Sequence, residues 1–307
     1  MVLITGSLAF DIIMDFPGRF SDHIDPTKIH ILNLSFLVDS LKKQKGGTAG
    51  NIAYNLALLE IPVSILGSVG EDFDEYQTFL QKAGVDVSNI KIVKNEQTSQ
   101  AFITTDKADN QITSFYPGSM KNNSSLKIVD LSEKPEFTVI SPNDPKAMIN
   151  FALECQKLEI PYMFDPGMQL PRLTNQDLIT GIKGAKILIG NDYEIGLLSS
   201  KLKVKSEKLL ENIKILITTL GEKGSIIQTK DQNIRIKAAK PKEVIDPTGA
   251  GDAYRAGFLA GYLQGLDLKV CGQMGSVTAC YSVEKYGTTT HSFTMDEFQQ
   301  KYKENYG

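Results

Sequence analysis

The stretch Asp246-Pro-Thr-Gly-Ala-Gly-Asp252 decides the fold, because it runs directly into the pattern Ala253-Tyr-Arg-Ala-Gly-Phe-Leu-Ala-Gly-Tyr-Leu263. Apolar side chains in this second run recur at intervals of three and four residues, which predicts a helix. Thr248 and the glycines that follow it are typical of a helix N-terminus. We therefore expect a glycine-rich turn that opens a helix.

The start of this helix has the features of an anion site. The N–H groups of Gly249, Ala250 and Gly251 are expected to point out of the helix, where its dipole favours negative charge and phosphate binds well. Asp252 lies in the same first turn, where the field of the pocket keeps a carboxylate ionised and able to accept a proton. This pairing suggests phosphoryl transfer. The alternative is that Asp252 only complements the helix dipole and the glycines only shape a turn.

A second glycine-rich signature, Gly46-Gly47-Thr48-Ala49-Gly50-Asn51, opens another helical pattern near the N-terminus. The two signatures together resemble those of the ribokinase-type (phosphofructokinase B) family of sugar and nucleoside kinases, and the resemblance covers nearly the whole chain. The segment from residue 15 to 45 is similar to that of bacterial adenosine kinase-like members. The resemblance implies a ribokinase-like α/β fold over residues 1–307: a three-layer sandwich with a central, mostly parallel sheet and a small β-sheet lid.

From residue 137 onward, apolar strand patterns alternate with helical ones. Strands are predicted at 137–141, 161–165 and 186–191, with helices at 145–158 and near 175–184. Such alternation predicts right-handed crossovers and a parallel sheet with helices on both faces. Ligands are then expected at the carboxyl ends of the strands.

The resemblance implies that the lid is formed by residues from about 12–42 and 97–118. Within it, the alternation over 28–38 predicts a strand, and the polar turn 106–110 between two β-rich runs predicts a hairpin. The alternative for the first segment is a peripheral hairpin that makes a dimer contact. We expect a monomer or a homodimer that pairs through the lid.

The family's substrate-binding residues correspond to Asp11, Gly46, Gly47 and Asn51. A carboxylate that accepts two neighbouring O–H groups suits a sugar diol, and the Asn51 amide can both donate and accept. The hairpin aromatic residues Phe102 and Phe115 are candidates for stacking on a nucleobase. Their alternative is packing against the underlying sheet.

The resemblance also implies ATP and Mg²⁺. It assigns nucleotide binding to residues in three separate segments: Asn191, Thr219, Gly221, Gly224 and Gly287. It assigns Glu194 to the magnesium site, and by analogy a monovalent cation such as K⁺ lies near Asp246, Thr248 and Gly287. Carboxylate and amide oxygens are the ligands that Mg²⁺ prefers, but a helix-cap role explains Asn191 equally well.

Composition excludes several other classes of function. The net charge is −3 with both signs spread along the chain, so neither nucleic acid nor an anionic membrane is an expected partner. The sequence has no eighteen-residue apolar run and no charged leader, and we expect a cytoplasmic protein. Its histidines and three cysteines lack zinc-site spacing, and it contains neither a nucleophile elbow nor a Walker motif.

We therefore expect an ATP- and Mg²⁺-dependent kinase in which Asp252 takes a proton from a primary hydroxyl, the 5′-hydroxyl of adenosine or another nucleoside, in purine salvage. The amides of residues 249–251 would stabilise charge on the γ-phosphoryl. One alternative is a kinase of ribose, fructose or a related ketose. The family's sugar kinases often show Asp-Pro-Asn-x-Arg where this chain has Asp165-Pro-Gly-Met-Gln169, which weakens that alternative. A second alternative is a catalytically silent, metabolite-binding relative.

Overall fold

The computed structural model describes residues 1–25, 31, 33–108 and 110–307. In these ranges the strands, in chain order, are β1 Val2–Thr5, β2 Ala9–Asp15, β3 Ser40–Gly46, β4 Val63–Val69, β5 Ile90–Ile92, β6 Ser99–Thr105, β7 Gln111–Tyr116, β8 Phe137–Ile140, β9 Tyr162–Phe164, β10 Ile187–Asn191, β11 Ile215–Thr219, β12 Ser225–Gln228 and β13 Asn233–Ile236. The α-helices are α1 Thr48–Leu58, α2 Asp74–Lys82, α3 Pro145–Lys157, α4 Asn175–Ile182, α5 Asp192–Leu202, α6 Ser206–Leu209, α7 Ala250–Leu263, α8 Leu268–Val283 and α9 Met295–Tyr306.

Within the described residues, nine strands form the large sheet, in the order β13-β12-β11-β10-β9-β8-β1-β4-β5. The strand pairs from β11 to β5 are parallel, whereas β12 at one edge is antiparallel to both of its neighbours, β11 and β13. The predicted, mostly parallel sheet is therefore confirmed. Because the parallel strands share one direction, their carboxyl ends lie at one edge of the sheet.

Successive side chains of these strands enter two separate apolar cores. Ile4 of β1 and Ile189 of β10 pack in the core covered by α1, α2 and α7–α9, whereas Leu3 and Leu188 pack in the core covered by α3–α6. A strand that is apolar at every position must be buried on both faces. Helices on both faces of one sheet make the predicted three-layer sandwich, which is also confirmed.

Close packing fixes the direction of α7, the helix that follows the glycine-rich signature. An added Cβ at Gly257 would lie 2.6 Å from the carbonyl oxygen of Met274 in α8. The two helices therefore approach backbone to backbone, and a larger side chain would push them apart. This contact fixes how α7 packs against α8.

The second, small sheet has the order β3-β2-β6-β7. The antiparallel pair β6 and β7 confirms the predicted hairpin. The predicted strand over 28–38 is wrong for the described residues 31 and 33–38, which carry no strand, and the strand begins instead at Ser40. Residues 28–30 and 32 lie outside the described residues. Aromatic packing of Phe36 on Phe16 and Phe20 explains part of the apolar alternation that suggested a strand.

Candidate active site

The glycine-rich turn forms the N-terminus of α7. Gly249 precedes the helix with φ of 80°, a left-handed conformation that glycine adopts without strain. The Ala250 N–H donates to the carbonyl of Pro247 at 3.2 Å, whereas the N–H groups of Gly249, Gly251 and Asp252 have no acceptor among the described residues. The predicted set of three amides thus needs one change: Ala250 is engaged in a turn, and the Asp252 N–H is available in its place.

Asp252 and Asn51 are in direct contact although they come from distant parts of the chain. The Asn51 Nδ2 donates to Asp252 Oδ2 at 2.8 Å. Asn51 lies in the first turn of α1, which begins directly after Gly46 and Gly47. Its Oδ1 is buried and has no partner within the described part of the chain. The two glycine-rich signatures therefore meet at one place.

Asp11 of β2 is close enough to Asp252 for the two charges to interact. Burial, with the negative charges of Asp252 and Asp246, raises the pKa of Asp11 to about 6. Burial likewise raises the pKa of Asp252 to about 6, although the Arg255 charge and the Asn51 hydrogen bond oppose the rise. A carboxylate with a pKa just below neutrality is ionised at pH 7 and still basic enough to accept a proton.

Gly46 lies directly against Asp11. An added Cβ at Gly46 would overlap the Asp11 carboxylate, and the Gly46 carbonyl accepts a hydrogen bond from the Tyr76 hydroxyl at 2.9 Å. Gly47, at φ of 87°, forms the N-terminal boundary of α1. The predicted residues Asp11, Gly46, Gly47 and Asn51 are thus neighbours, and Asn51 contacts Asp252 directly.

A cavity of about 580 Å³ adjoins the start of α7. It reaches from Thr219, the last residue of β11, and from Gly221 and Gly224 to Ala250 and Gly251, and it is large enough for a nucleotide. The predicted nucleotide residues Asn191 and Gly287 do not lie in its wall. Its other walls come from α8 and from the segment before the signature: Ala238, Pro241, Val244, Ser276, Ala279, Cys280 and Val283.

Asn191 and Glu194 form a capping box at the start of α5. The Asn191 Oδ1 accepts from the Glu194 N–H, and the Glu194 Oε2 accepts from the Asn191 N–H, both at 2.8 Å. The helix-cap alternative for Asn191 is therefore present in the structure. Burial and the charge of Asp165 raise the pKa of Glu194. Its Oε1 accepts no hydrogen bond from the residues described.

The donor set fits a loosely held Mg²⁺ and does not fit a closed metal cage. Among the described residues, no group of three or more His, Cys, Asp or Glu side chains could hold a metal ion. Mg²⁺ usually keeps several waters and binds one or two carboxylates together with substrate phosphates. The free oxygen of Glu194 meets that requirement.

Asp246 connects two loops near the start of α7. Its Oδ1 accepts from the Thr248 N–H and its Oδ2 from the Gly287 N–H, each at 2.9 Å. The Thr288 hydroxyl in turn donates to the carbonyl of Lys45 at 3.0 Å. The predicted cation-site residues Asp246, Thr248 and Gly287 are therefore together, but each Asp246 oxygen is already hydrogen-bonded to a backbone amide.

The aromatic residues of the hairpin lie on opposite faces of the small sheet. Asp11 is paired with Ala101 and Ala101 with Phe115, so Phe115 shares the Asp11 face. Phe102 is paired with Ile12 and therefore lies on the other face, away from Asp11. Of the two candidates for stacking on a nucleobase, Phe102 therefore does not share a face with Asp11. Phe115 remains a candidate.

Sequence reasoning missed a buried ion pair beside this site. Arg255 of α7 donates from Nε to Asp165 Oδ2 at 2.6 Å and from Nη2 to Asp165 Oδ1 at 3.0 Å. Asp165 follows β9 directly, and both side chains are buried. The sequence did contain a signal for this pair. Arg255 lies one turn after Asp252 in a helix that is otherwise built from small and apolar residues, so its charge needs a buried partner.

Comparisons with known proteins agree with this geometry. The sequence pattern of the pfkB family of carbohydrate kinases matches residues 9–295. The chain belongs to the pfkB family of carbohydrate kinases. It is accordingly a phosphotransferase that acts on a hydroxyl group, as the sequence predicted.

Relatives within the family include nucleoside kinases. The chain is 36% identical over 274 residues to a nucleoside kinase from Methanocaldococcus jannaschii, covering 88% of this chain and 89% of the relative. The structure of Burkholderia thailandensis nucleoside kinase in complex with inosine superimposes with a TM-score of 0.92 at 33% identity, covering 100% of this chain and 98% of the other. The structure of the same nucleoside kinase in complex with ADP-inosine superimposes with a TM-score of 0.90 at 33% identity, covering 100% of this chain and 96% of the other.

No helix within the described ranges is both long enough and apolar enough to span a bilayer.

Proposed function

We propose that this pfkB-family enzyme is an ATP- and Mg²⁺-dependent nucleoside kinase that phosphorylates the 5′-hydroxyl, with adenosine as the first candidate among purine nucleosides and purine salvage as its setting. The observation that carries the proposal is the hydrogen bond between Asn51 and Asp252. It brings the substrate signature and the anion-binding turn into one site. Nucleoside kinases among the relatives, including one solved with inosine, support the choice of a nucleoside.

In the proposed reaction Asp252 accepts the proton of the attacking hydroxyl. The hydrogen bond from Asn51 holds its Oδ2, which leaves Oδ1 free for the substrate. Burial keeps the carboxylate less hydrated than in water, and this raises its basicity. A base held within hydrogen-bonding distance of its proton contributes about a hundredfold to ten-thousandfold to the rate.

Asp11 and Asn51 are proposed to bind the ribose diol. The Asp11 carboxylate can accept two neighbouring O–H groups. The Asn51 Oδ1, which has no partner among the residues described, can accept one after a small movement of its side chain. Phe115, on the same face of the small sheet as Asp11, is proposed to cover the base.

The free N–H groups at the start of α7 are proposed to bind the transferred phosphoryl group. Gly251 borders both this turn and the 580 Å³ cavity, so a nucleotide in the cavity would direct its phosphates toward Asp252. Mg²⁺ near Glu194 would neutralise charge on the phosphates. A K⁺ ion beside the loops joined by Asp246 would stiffen the same turn.

ADP release measured over a panel of nucleosides and sugars tests the proposal. We expect adenosine and inosine to be phosphorylated with kcat/KM at least about a hundredfold above that of ribose or fructose, because only a nucleoside offers a base for Phe115 to cover. Equal or higher values with a free sugar would contradict the nucleoside assignment. Ligand-induced thermal stabilisation without transfer to any acceptor would favour a catalytically silent relative.

The pH dependence of kcat/KM follows from the two interacting carboxylates. Both Asp11 and Asp252 have a pKa raised to about 6 and both must be ionised, so kcat/KM is expected to be flat above pH 7. Below about pH 6 its logarithm should fall with a slope approaching about two, because the active form of the enzyme requires both carboxylates to be deprotonated. A profile that stays flat down to about pH 5 would exclude this pair from the reaction.

A further inference from the structure

The ion pair of Arg255 and Asp165 has a third member. Besides its two bonds to Asp165, Arg255 donates from Nη1 to the carbonyl oxygen of Gly251 at 2.9 Å. An added Cβ at Gly251 would lie 3.0 Å from the same Nη1. The guanidinium group is therefore held on two sides, by the carboxylate after β9 and by the first turn of its own helix.

The bond to Gly251 restrains a peptide unit that belongs to the reaction site. The Gly251 carbonyl and the Asp252 N–H are the two ends of one planar peptide group. That N–H is one of the amides without an acceptor among the described residues. By holding the carbonyl end, Arg255 fixes the direction in which the Asp252 N–H points.

Arg255 also balances the negative charges that face Asp252. Asp11 from β2, Asp165 after β9 and Glu194 from α5 all bring carboxylates toward it, and Asp246 lies beyond Asp11. Asn51 from α1 contributes a neutral donor. Among the described side chains, Arg255 supplies the positive charge that lowers the pKa of Asp252.

We propose that Arg255, held in place by Asp165, is a positioning residue for phosphoryl transfer that orients the peptide between Gly251 and Asp252 and supplies the compensating charge beside Asp252. The inference rests on the proposed function of that site. Stability alone is a weak explanation for such a pair, because replacing a buried ion pair by neutral side chains is often neutral or stabilising. The guanidinium fork can bind Asp165 through two donors and Gly251 through a third, which the single ammonium of lysine cannot reproduce.

Three variants separate positioning from stability. Arg255→Met leaves Asp165 buried and unpaired, so we expect a lower melting temperature together with lower kcat. The double variant Asp165→Asn/Arg255→Met removes both charges. It should recover most of the melting temperature while kcat stays at least about tenfold below wild type. Arg255→Lys keeps the charge and should give a kcat between those of the wild type and the Met variant.

The pH dependence of kcat/KM gives a second test, because a pair with a purely structural role would leave it unchanged. In the double variant the acid limb of the kcat/KM profile should shift to higher pH. The charge of Arg255 lowers the pKa of Asp252 more than the charge of Asp165 raises it, so removing both charges raises that pKa. If the double variant recovers both its melting temperature and its kcat, with an unshifted acid limb, the pair is structural and the inference is overturned.

Failure of the inference can be distinguished from failure of the proposed function. Each variant is compared with the wild type on whichever acceptor the wild type phosphorylates. Phosphorylation of a sugar and of no nucleoside would contradict the nucleoside assignment, while the variant ratios would still test Arg255. A wild-type enzyme that transfers phosphate to no acceptor would contradict both.

Discussion

Replacing Asp252 by asparagine should lower kcat at least about a hundredfold while the fold and both ligand affinities stay nearly unchanged. The amide has the shape of the carboxylate, and its oxygen can still accept the hydrogen bond from Asn51. It cannot accept the proton of the substrate hydroxyl. Steady-state kinetics measures the loss of kcat, and calorimetric titration with the nucleoside measures the binding that should survive.

The same variant should be at least as stable as the wild type at pH 7. The pKa of Asp252 is raised in the folded protein, so its ionised form costs stability that is regained as the pH falls through about 6. An asparagine does not have this cost. Loss of activity with an unchanged or higher melting temperature is the pattern of a residue kept for function.

Asp74→Asn is the matched control for Asp252. Asp74 is likewise an acidic residue in the first turn of a helix, α2, but its side chain is exposed and outside the site. We expect wild-type turnover from this variant. If Asp252→Asn retained turnover within about tenfold of the wild type, Asp252 would not be the general base.

Gly46→Ala should raise the KM for the nucleoside by between about ten- and a hundredfold. The added methyl group would overlap the Asp11 carboxylate and displace it from the ribose site. Losing a hydrogen bond to a charged group costs about 1.5–3 kcal/mol, which corresponds to this range of affinity. Because φ at Gly46 is not left-handed, the backbone itself accepts alanine.

Gly196→Ala is the matched control for this substitution. Gly196 lies in α5, and an added Cβ there meets no atom within 4 Å. Alanine favours a helix over glycine, so this variant should keep its KM and gain slightly in stability. An unchanged nucleoside KM in Gly46→Ala would show that Asp11 does not bind the substrate.

Local patterns predicted the elements near the site well. The helix after the signature begins at Ala250, and the predicted strands at 137–141 and 186–191 agree closely with β8 and β10. These elements are specified by hydrophobic periodicity and by glycine at a left-handed position, which are both local properties. The meeting of Asn51 with Asp252 could be anticipated only through the family resemblance.

Features that depend on distant pairing could not be predicted. The face of Phe102 is set by the register of β2 against β6, two strands separated by most of the N-terminal half of the chain. The pairing of Asp165 with Arg255 and the entry of Pro241 and Val244 into the wall of the cavity beside α7 are equally non-local. Asn191 was a candidate both for nucleotide binding and for a helix cap, and the structure shows it as the cap of α5.

A crystal structure of the protein with adenosine and a non-hydrolysable ATP analogue tests the central claim most directly. We predict the nucleoside 5′-oxygen within about 3 Å of the Asp252 carboxylate and the ribose diol on Asp11, with the γ-phosphate at the N–H groups of Gly251 and Asp252. A nucleoside bound elsewhere, or a 5′-oxygen directed away from Asp252, would contradict the account.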